Sequence, residues 1–279
     1  MLPVELWVAI LLVVVVDVLA ALALVWIRRR APEGSFFADS QRAAGAFAVT
    51  GTIFAVLVGF VFLLAFQSYQ NARSSAKDES IAAIGLFNSA ERFAAVDRAD
   101  LQADAVCYAR AVVGIEWPAM ADERSSPVVD AWVARLNDGF KRVTPHGAAE
   151  SDAAQNWFTE TDALLHGRQG RLTEASRVIP TTIWVLLLLS GAAVVSLAIM
   201  FADPSERRLA QLAMLIAVTT AVAASLLTVN FLDRPYGDHA GAVTPVAMHS
   251  ALATMGREDG AATRAAVLAR CDQRGQPIS

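Results

Sequence analysis

Asp17 is the acidic residue that lies deepest within an apolar segment of this chain. The segment is Val4–Ile27, and a carboxylate at its centre costs roughly 2.5–3.5 kcal/mol on membrane-insertion scales. No Lys or Arg stands at a comparable depth in the other apolar segments, so its partners must be hydroxyls. The available hydroxyls belong to Thr50, Thr52, Thr219, Thr220 and Ser225. Two interpretations stay open: an ionised group near an ion path, which would favour cations, or one hydrogen-bonded structural carboxyl.

A second pattern with functional potential lies in the stretch GTIFAVLVGFVFLLAFQ, Gly51–Gln67. Phe54, Val58 and Phe62 recur at every fourth residue, and in a symmetric ring of subunits such side chains would line a pore and gate it by dewetting. Small residues at the same spacing allow neighbouring helices to approach closely. They are Gly51, Ala55 and Gly59. The alternative for both rows is ordinary contact with other helices and with lipid.

Motifs of known catalytic centres are not found in this sequence. It contains no GxSxG, HExxH, phosphate-binding loop or Gly-rich dinucleotide turn. The four histidines and two cysteines show no metal-ligand spacing. No basic stripe suggests nucleic acid. We therefore expect no enzyme, no catalytic residue, no metal, no cofactor and no nucleic-acid partner.

Four apolar segments are each long enough to cross a bilayer, which takes roughly 20 apolar residues. They are Val4–Ile27, Ala46–Phe66, Ile179–Phe201 and Leu209–Leu232. Hydrophobic residues make up 55% of the 279 residues, which is more than an ordinary soluble domain contains. The first segment exceeds the roughly 7–15 apolar residues of a signal peptide and is followed, not preceded, by arginines. We expect it to be retained as an anchor.

The order of these segments predicts an all-α membrane protein with four transmembrane helices, arranged two plus two around an inserted helical bundle. Residues 1–66 hold transmembrane helices 1 and 2, and residues 67–178 form the extramembrane helical domain. Residues 179–232 hold helices 3 and 4, and residues 233–279 form a polar tail on the same side as 67–178. The second transmembrane helix continues without a breaker into the polar sequence SYQNARSSAKDES.

Amphipathic stripes predict the helices of residues 67–178. One stripe runs from Leu101 to Ile115 and is expected to end at Trp117-Pro118, because the residue before a proline disfavours the helical region. Ser126 and Pro127 then read as an N-cap and a first helical residue. They open the second stripe, which comprises Val129, Trp132, Leu136, Phe140 and Val143. A third helix should begin near Ser151 and run toward Pro180, with two shorter helices in the tail and no sheet.

Basic residues predict the orientation through the positive-inside rule. Arg28, Arg29, Arg30 and Arg42 lie in the loop 28–45, and Arg207 and Arg208 lie in the hairpin ADPSERR. We expect both loops in the cytoplasm of an inner-membrane, multi-pass protein. Residues 67–178, which are net acidic, and the C-terminus would then be extracytoplasmic. An oxidising compartment would permit a disulfide between Cys107 and Cys271; two separate buried thiols are the alternative.

Several stretches together resemble the bestrophin-like family of bacterial integral membrane proteins, from about Gly45 to Met255. They are GTIFAVLVGFVFLLAFQSYQNARSSAKDES, YARAVVGIEWPAM, RLTEASRVIPTTIWVLLLLSGA and NFLDRPYGD. The most specific positions are Glu116, Trp117, Pro118, Pro180, Trp184, Asp233, Pro235 and Gly237.

The resemblance implies a distant likeness to bestrophin anion channels, whose pores are oligomeric and lined by the second span. Those channels keep the inserted domain in the cytoplasm, which conflicts with the arginine argument that we retain. We expect the lipid bilayer, further copies of this chain and inorganic ions as partners of an oligomeric channel. The alternative is a non-conducting scaffold or sensor whose outer domain binds a partner. Glu116 and Asp233 are expected to anchor the structure, or to share a polar site at a pore mouth.

Overall fold

The computed structural model describes residues 4–30, 37, 39–203, 206–237, 239 and 241–278. Helices account for nearly all of its regular structure, and within these ranges the only β feature is an isolated bridge between Cys271 and Pro277. The helices are α1 Val4–Arg28, α2 Ser40–Ala90, α3 Ala95–Ala111, a π-helical segment Val112–Glu116, α4 Trp117–Met120, α5 Pro127–Phe140, α6 Gly147–Thr173, α7 Thr181–Met200, α8 Arg208–Leu232, α9 Val246–Glu258 and α10 Ala261–Arg270. The all-α prediction is confirmed for the described residues.

Helices long and apolar enough to cross a membrane are α1, α2, α7 and α8. Three of them contain the corresponding apolar segments in full, and α7 begins two residues later and ends one residue earlier than the predicted Ile179–Phe201. Most of their apolar side chains point away from the rest of the subunit, since only 11–22% of each apolar window is buried. A soluble helix of this composition would turn such a surface inward, so these helices have the surface of membrane-embedded elements.

The chain divides into two compact units. Unit 1 comprises Met1–Ser68, Arg177–Asp233 and His239–Gly241, and unit 2 comprises Tyr69–Ser176, Arg234–Asp238 and Ala242–Ser279. The helix α2 is continuous over 51 residues and contributes to both units.

Unit 1 is held together by three small apolar clusters. In the first, Ala20 and Leu24 of α1 pack against Ala198 of α7 and Leu215 of α8. The others join α2 to α7 and α8, through residues that include Val61, Ala65, Leu187 and Val229 in one and Phe54, Val194 and Val222 in the other. Gly191 of α7 permits the last contact, because a Cβ at this position would lie 3.1 Å from Val222 and 3.3 Å from Phe54.

Unit 2 has one large core, built around α3. Every residue of α3 from Leu101 to Ala109 is buried. The large side chains of Trp132 in α5 and Trp157 in α6 are 0% and 1% exposed. Phe140 stacks on Trp157 with ring centroids 5.5 Å apart. The N-cap prediction for α5 is confirmed, since the Ser126 hydroxyl accepts a hydrogen bond from the Val128 amide and Pro127 opens the helix.

Two sequence-based boundaries differ from the structure. The helix through Leu101 does not end at Trp117-Pro118, because the π-helical segment leads directly into α4, where Pro118 occupies the first turn. A first-turn residue needs no amide hydrogen, so proline is tolerated there. The third helix begins at Gly147 and ends at Thr173, which is earlier at both ends than predicted.

Candidate functional site

Asp17 lies in the seam between α1 and α8 and is half-buried. Its two carboxylate oxygens accept hydrogen bonds from the Thr219 hydroxyl and, at 2.7 Å, from the Thr220 hydroxyl. The other hydroxyls considered from the sequence, those of Thr50, Thr52 and Ser225, donate to backbone carbonyls four residues earlier in their own helices. The carboxyl is therefore fixed by two neighbours inside the subunit, an arrangement suited to holding α1 against α8.

The row Phe54, Val58 and Phe62 does not occupy one exposed face of α2. Phe54 is only 7% exposed and packs against Val194 and Val222, Val58 is half-buried, and Phe62 is 39% exposed. At 3.6 residues per turn, positions eight residues apart are rotated by about 80° around the helix axis. This rotation explains why Phe54 is buried while Phe62 is exposed. The expectation that Phe54 faces a lumen is corrected: this side chain is enclosed within its own subunit.

The exposed face of α2 carries aromatic and small residues together. Phe62 stacks on Phe66, with centroids 6.3 Å apart and an interplanar angle of 6°. A Cβ added at Gly51 or Gly59 would meet no atom within 4 Å, and Ala55 is exposed. No helix of the described chain covers this row. The close approach within unit 1 occurs at Gly191 instead.

A buried cluster of charged side chains lies in unit 2. Arg171 of α6 donates to both carboxylate oxygens of Glu79 of α2 and, at 2.6 Å, to Glu116. Arg168 contacts the other oxygen of Glu116 at 2.6 Å and Asp130 at 2.7 Å. Glu79, Glu116 and Arg171 have fully buried side chains.

Local backbone features bring these charges together. Gly167 lies against the backbone of α2, because a Cβ there would be only 2.6 Å from the Glu79 nitrogen; Gly170 lies equally close to Ser75. The missing side chains let α6 approach α2, which places Arg168 and Arg171 beside Glu79. The extra residue in the π-helical turn rotates the end of the α3 helix, so that Glu116 points at the same arginines.

The electrostatics of this cluster favour fixed charges. Burial raises the pKa of Glu116, but the two arginines outweigh it and leave the pKa below its usual value of 4.5. Burial alone would lower the pKa of Arg171, yet Glu79 and Glu116 raise it. Burial and the adjacent Glu79 raise the pKa of Tyr108, whose hydroxyl donates to Glu79 at 2.5 Å. These shifts keep Glu116 ionised, Arg171 charged and Tyr108 neutral near neutral pH, so the cluster is suited to support rather than to proton transfer.

Asp233 is the centre of a second group of polar contacts, which lies within unit 1. Its carboxylate accepts hydrogen bonds from the amides of Val178 and Ile179, at 3.2 and 2.9 Å, and from the indole of Trp184 at 3.2 Å. Pro180 is the N-cap residue of α7, so Asp233 fixes the entry to that helix. Glu116 and Asp233 each use their oxygens within their own unit.

The remaining motif residues, Trp117, Pro118, Pro235 and Gly237, lie in unit 2. The Pro235 carbonyl accepts a hydrogen bond from Val243 at 2.7 Å, and the Gly237 amide donates to Arg234 within the same turn. Trp117 donates from its indole to the Val243 carbonyl and meets Tyr236 edge-on at 5.4 Å. Pro118 lies exposed in α4.

A disulfide joins Cys107 of α3 to Cys271, just after α10, with the Cα atoms 5.9 Å apart. The segment that follows folds back over α3. The Gly275 carbonyl accepts a hydrogen bond from Trp132 at 2.8 Å, and Gly275 has φ +79°, a conformation that disfavours other residues.

Sequence reasoning missed Arg168 and Arg171 as partners of the two glutamates. Both arginines lie near the C-terminal end of α6, and only the pairing of glycine with arginine in HGRQGR distinguishes them from the other charged residues of that helix. The disulfide pairing was one of two alternatives left open by the sequence. The structure contains no group of three potential metal ligands among its described residues.

Comparison with solved structures identifies similar folds. A bacterial bestrophin homologue from Klebsiella pneumoniae superposes with a TM-score of 0.65 at 13% identity, covering 92% of this chain and all of that chain. A single-residue variant of the Klebsiella homologue gives a TM-score of 0.67 at 14% identity, covering 91% and 98% of the two chains. At this identity the likeness establishes the fold alone. No curated protein sequence matches the chain significantly.

Family membership follows from the sequence profile. The Bestrophin-like domain matches residues 15–248, which include α2, the charged cluster and the Asp233 contact. The chain is therefore a membrane protein of the bestrophin-like family.

Proposed function

We propose that the protein is an oligomeric ion channel in which α2 helices from several copies of this chain surround a pore. Family membership supports a channel, and the uncovered face of α2 carries the proposal. Phe62 and Phe66 are exposed on it, and no described residue covers Gly51 or Gly59. Four spans of a single subunit enclose no wide pore, so a lumen requires further copies.

The exposed face of α2 suits both tasks that a pore helix must perform. A ring of Phe62 side chains, each stacked on Phe66, forms a narrow apolar constriction that excludes water when closed. The row of Gly51, Ala55 and Gly59 allows a neighbouring subunit's helix to approach closely. Inorganic ions are the permeating species in this proposal, and lipid covers the remaining apolar surface.

Asp17 acts as a structural group in this proposal. Its carboxyl is held between Thr219 and Thr220 at the contact of α1 with α8, and not on α2. An ion path lined by α2 therefore needs no ring of Asp17 carboxylates.

The proposed arrangement in the inner membrane is two spans, an extracytoplasmic domain, two spans and an extracytoplasmic tail. Arg28, at the end of α1, donates to Gln211 of α8 and to the Glu206 carbonyl, which supports both hairpin ends on one side of unit 1. The arginines at these ends favour the cytoplasm. The disulfide of unit 2 supports the opposite, oxidising side. Part of the loop 28–45 lies outside the described residues.

The test is current through the purified protein in planar bilayers, with two matched variants. Phe62→Ala widens the proposed ring and should raise the conductance or abolish gating. Phe54→Ala removes an enclosed side chain of the same type from the same helix, so it should lower stability by about 3–5 kcal/mol and leave the single-channel conductance unchanged.

Absence of current under every ionic gradient, for the natural chain and both variants, would exclude the channel and favour the scaffold or sensor. If the protein were monomeric both in detergent and in native-like nanodiscs, that result would also exclude the channel and favour the scaffold or sensor. Equal changes in conductance for Phe54→Ala and Phe62→Ala would show that α2 is oriented differently around the pore.

A further inference from the structure

A cleft of about 570 Å³ lies in unit 2, between the end of α3, helices α9 and α10, and the segment after Cys271. Its volume falls within the range of roughly 300–1,000 Å³ that is typical of small-molecule sites. It belongs to neither the α2 face nor the charged cluster described above, and the proposed channel activity does not require it.

The floor of the cleft is apolar. Val106 and Val267 are 8% and 4% exposed and belong to the core of unit 2, and Val113 and Leu252 are half-buried beside them. Leu268 extends this apolar surface to the rim, where it is 72% exposed. A ligand that reaches this floor must carry an apolar part.

The rim of the cleft carries excess positive charge. Arg264 is paired with Asp259 at 3.6 Å, so these two charges offset each other. Arg110 and Arg274 donate instead to backbone carbonyls, of Asp272 at 3.3 Å and Gly114 at 3.2 Å. Within the described ranges neither guanidinium forms an ion pair with a carboxylate. Two cations without a counter-charge beside an apolar floor are complementary to an organic anion.

The walls of the cleft are fixed before any ligand binds. The disulfide joins Cys107, next to Val106, to Cys271, three residues before Arg274. A Cβ at Gly114 would lie 2.8 Å from the Arg274 carbonyl oxygen, so the segment after Cys271 lies directly on the π-helical turn. The side chain of Asp272 is bound to the amides of Arg274 and Gln276, which keeps this carboxylate on its own turn. A rigid site loses little entropy on binding.

We propose that this cleft binds a small, water-soluble organic anion, in which a carboxylate lies between Arg110 and Arg274 and a short aliphatic chain covers Val106 and Val267. The inferred ligand class is a monocarboxylate of about six carbons. Binding on unit 2 makes this unit a receptor for that class of compound.

The experiment measures the binding of hexanoate to the full-length protein in lipid nanodiscs by ligand-observed NMR, with empty nanodiscs subtracted. Hexanamide, which has the same shape without the charge, should bind at least tenfold more weakly. Acetate, which has the charge without the apolar chain, should also bind at least tenfold more weakly than hexanoate. The double variant Arg110→Gln/Arg274→Gln should reduce hexanoate affinity at least tenfold.

The matched control variant is Arg257→Gln, which removes an exposed arginine of α9 that does not line the cleft; hexanoate affinity should stay within twofold. Equal binding of hexanoate and hexanamide by the unaltered protein would overturn the proposal, whatever the variants do. So would unchanged affinity in the double variant, or no saturable binding of hexanoate above that of empty nanodiscs.

Discussion

Arg171 and Glu79 form a bidentate ion pair in which neither side chain has any exposed surface. The pair joins α6 to α2 inside unit 2, and Glu116 completes the coordination of the guanidinium at 2.6 Å. A pair of this kind offsets its own desolvation only while every partner is present.

Replacement of the arginine should therefore be costly. Arg171→Met leaves Glu79 buried without a cation and leaves Glu116 with Arg168 alone, and we expect the free energy of unfolding of unit 2 to fall by about 3–5 kcal/mol. The measurement is denaturant unfolding followed by the fluorescence of the buried Trp132 and Trp157. The control Arg73→Met, at an exposed position of α2, should change the value by less than about 0.5 kcal/mol. Equal effects would contradict the assigned role.

Acid should weaken unit 2 through Glu116. Because its pKa in the folded protein lies below the usual 4.5, its contribution to stability is complete above about pH 4.5 and is lost as the pH falls through the lower, folded value. The denaturant concentration at the midpoint of unfolding, measured from neutral to acidic pH, should decline in that window. Glu116→Gln should start from a lower midpoint and show a smaller decline over the same window. A parallel decline in both proteins would assign the acid sensitivity to other groups.

The cysteines provide a third prediction. Mass spectrometry of the membrane-purified protein without reductant should show peptides linked through Cys107 and Cys271. Replacement of both by Ser should lower the free energy of unfolding by about 2–5 kcal/mol, since the bond closes a loop with a sequence separation of 164 residues. Recovery of both thiols in free form after rapid alkylation would refute the linkage.

Membrane orientation is tested by labelling intact cells with an impermeant thiol reagent. In a background without Cys107 and Cys271, Ser125→Cys should react and Gln41→Cys should react only after permeabilisation. Both positions are exposed in the subunit. The reverse pattern would match the layout of bestrophin channels and would falsify the assignment of residues 67–178 to the extracytoplasmic side.

Asp17→Asn separates a structural carboxyl from an ion-selecting one. An amide keeps one acceptor for Thr219 or Thr220, so we expect a stability loss of about 0.5–1.5 kcal/mol and no change in reversal potential. Thr220→Val, which removes a donor and no charge, is the matched variant and should have a similar effect on stability. A shift toward anion permeation in Asp17→Asn alone would place the carboxylate near the ion path.

The sequence was sufficient for features that depend on local patterns. The apolar segments and the N-cap at Ser126 were identified because length, hydropathy and capping chemistry act over a few residues. The hydroxyl partners of Asp17 were narrowed to a short set by elimination, because a carboxyl in an apolar segment has few possible neighbours. Thr219 and Thr220 belong to that set.

Features that depend on the rotation of one helix against another were missed. Nothing in the spacing of Phe54 and Phe62 shows that the first is enclosed and the second exposed, because this depends on where α7 and α8 pack. The π-helical turn at Val112–Glu116 leaves no signal in the sequence and changes the direction of Glu116. Arg168 and Arg171 were overlooked because long-range ion pairs have no spacing rule.

The covalent link from Cys107 to Cys271 also constrains the order of biosynthesis. Cys271 is made after α7 and α8, and so are α9 and α10, which pack into the core of unit 2. Unit 2 therefore stays incomplete while its earlier helices emerge, and its last helices are supplied only after two further spans have left the ribosome. Until then the surface of α3 that α9 and α10 will cover is open to chaperones, proteases and neighbouring nascent chains.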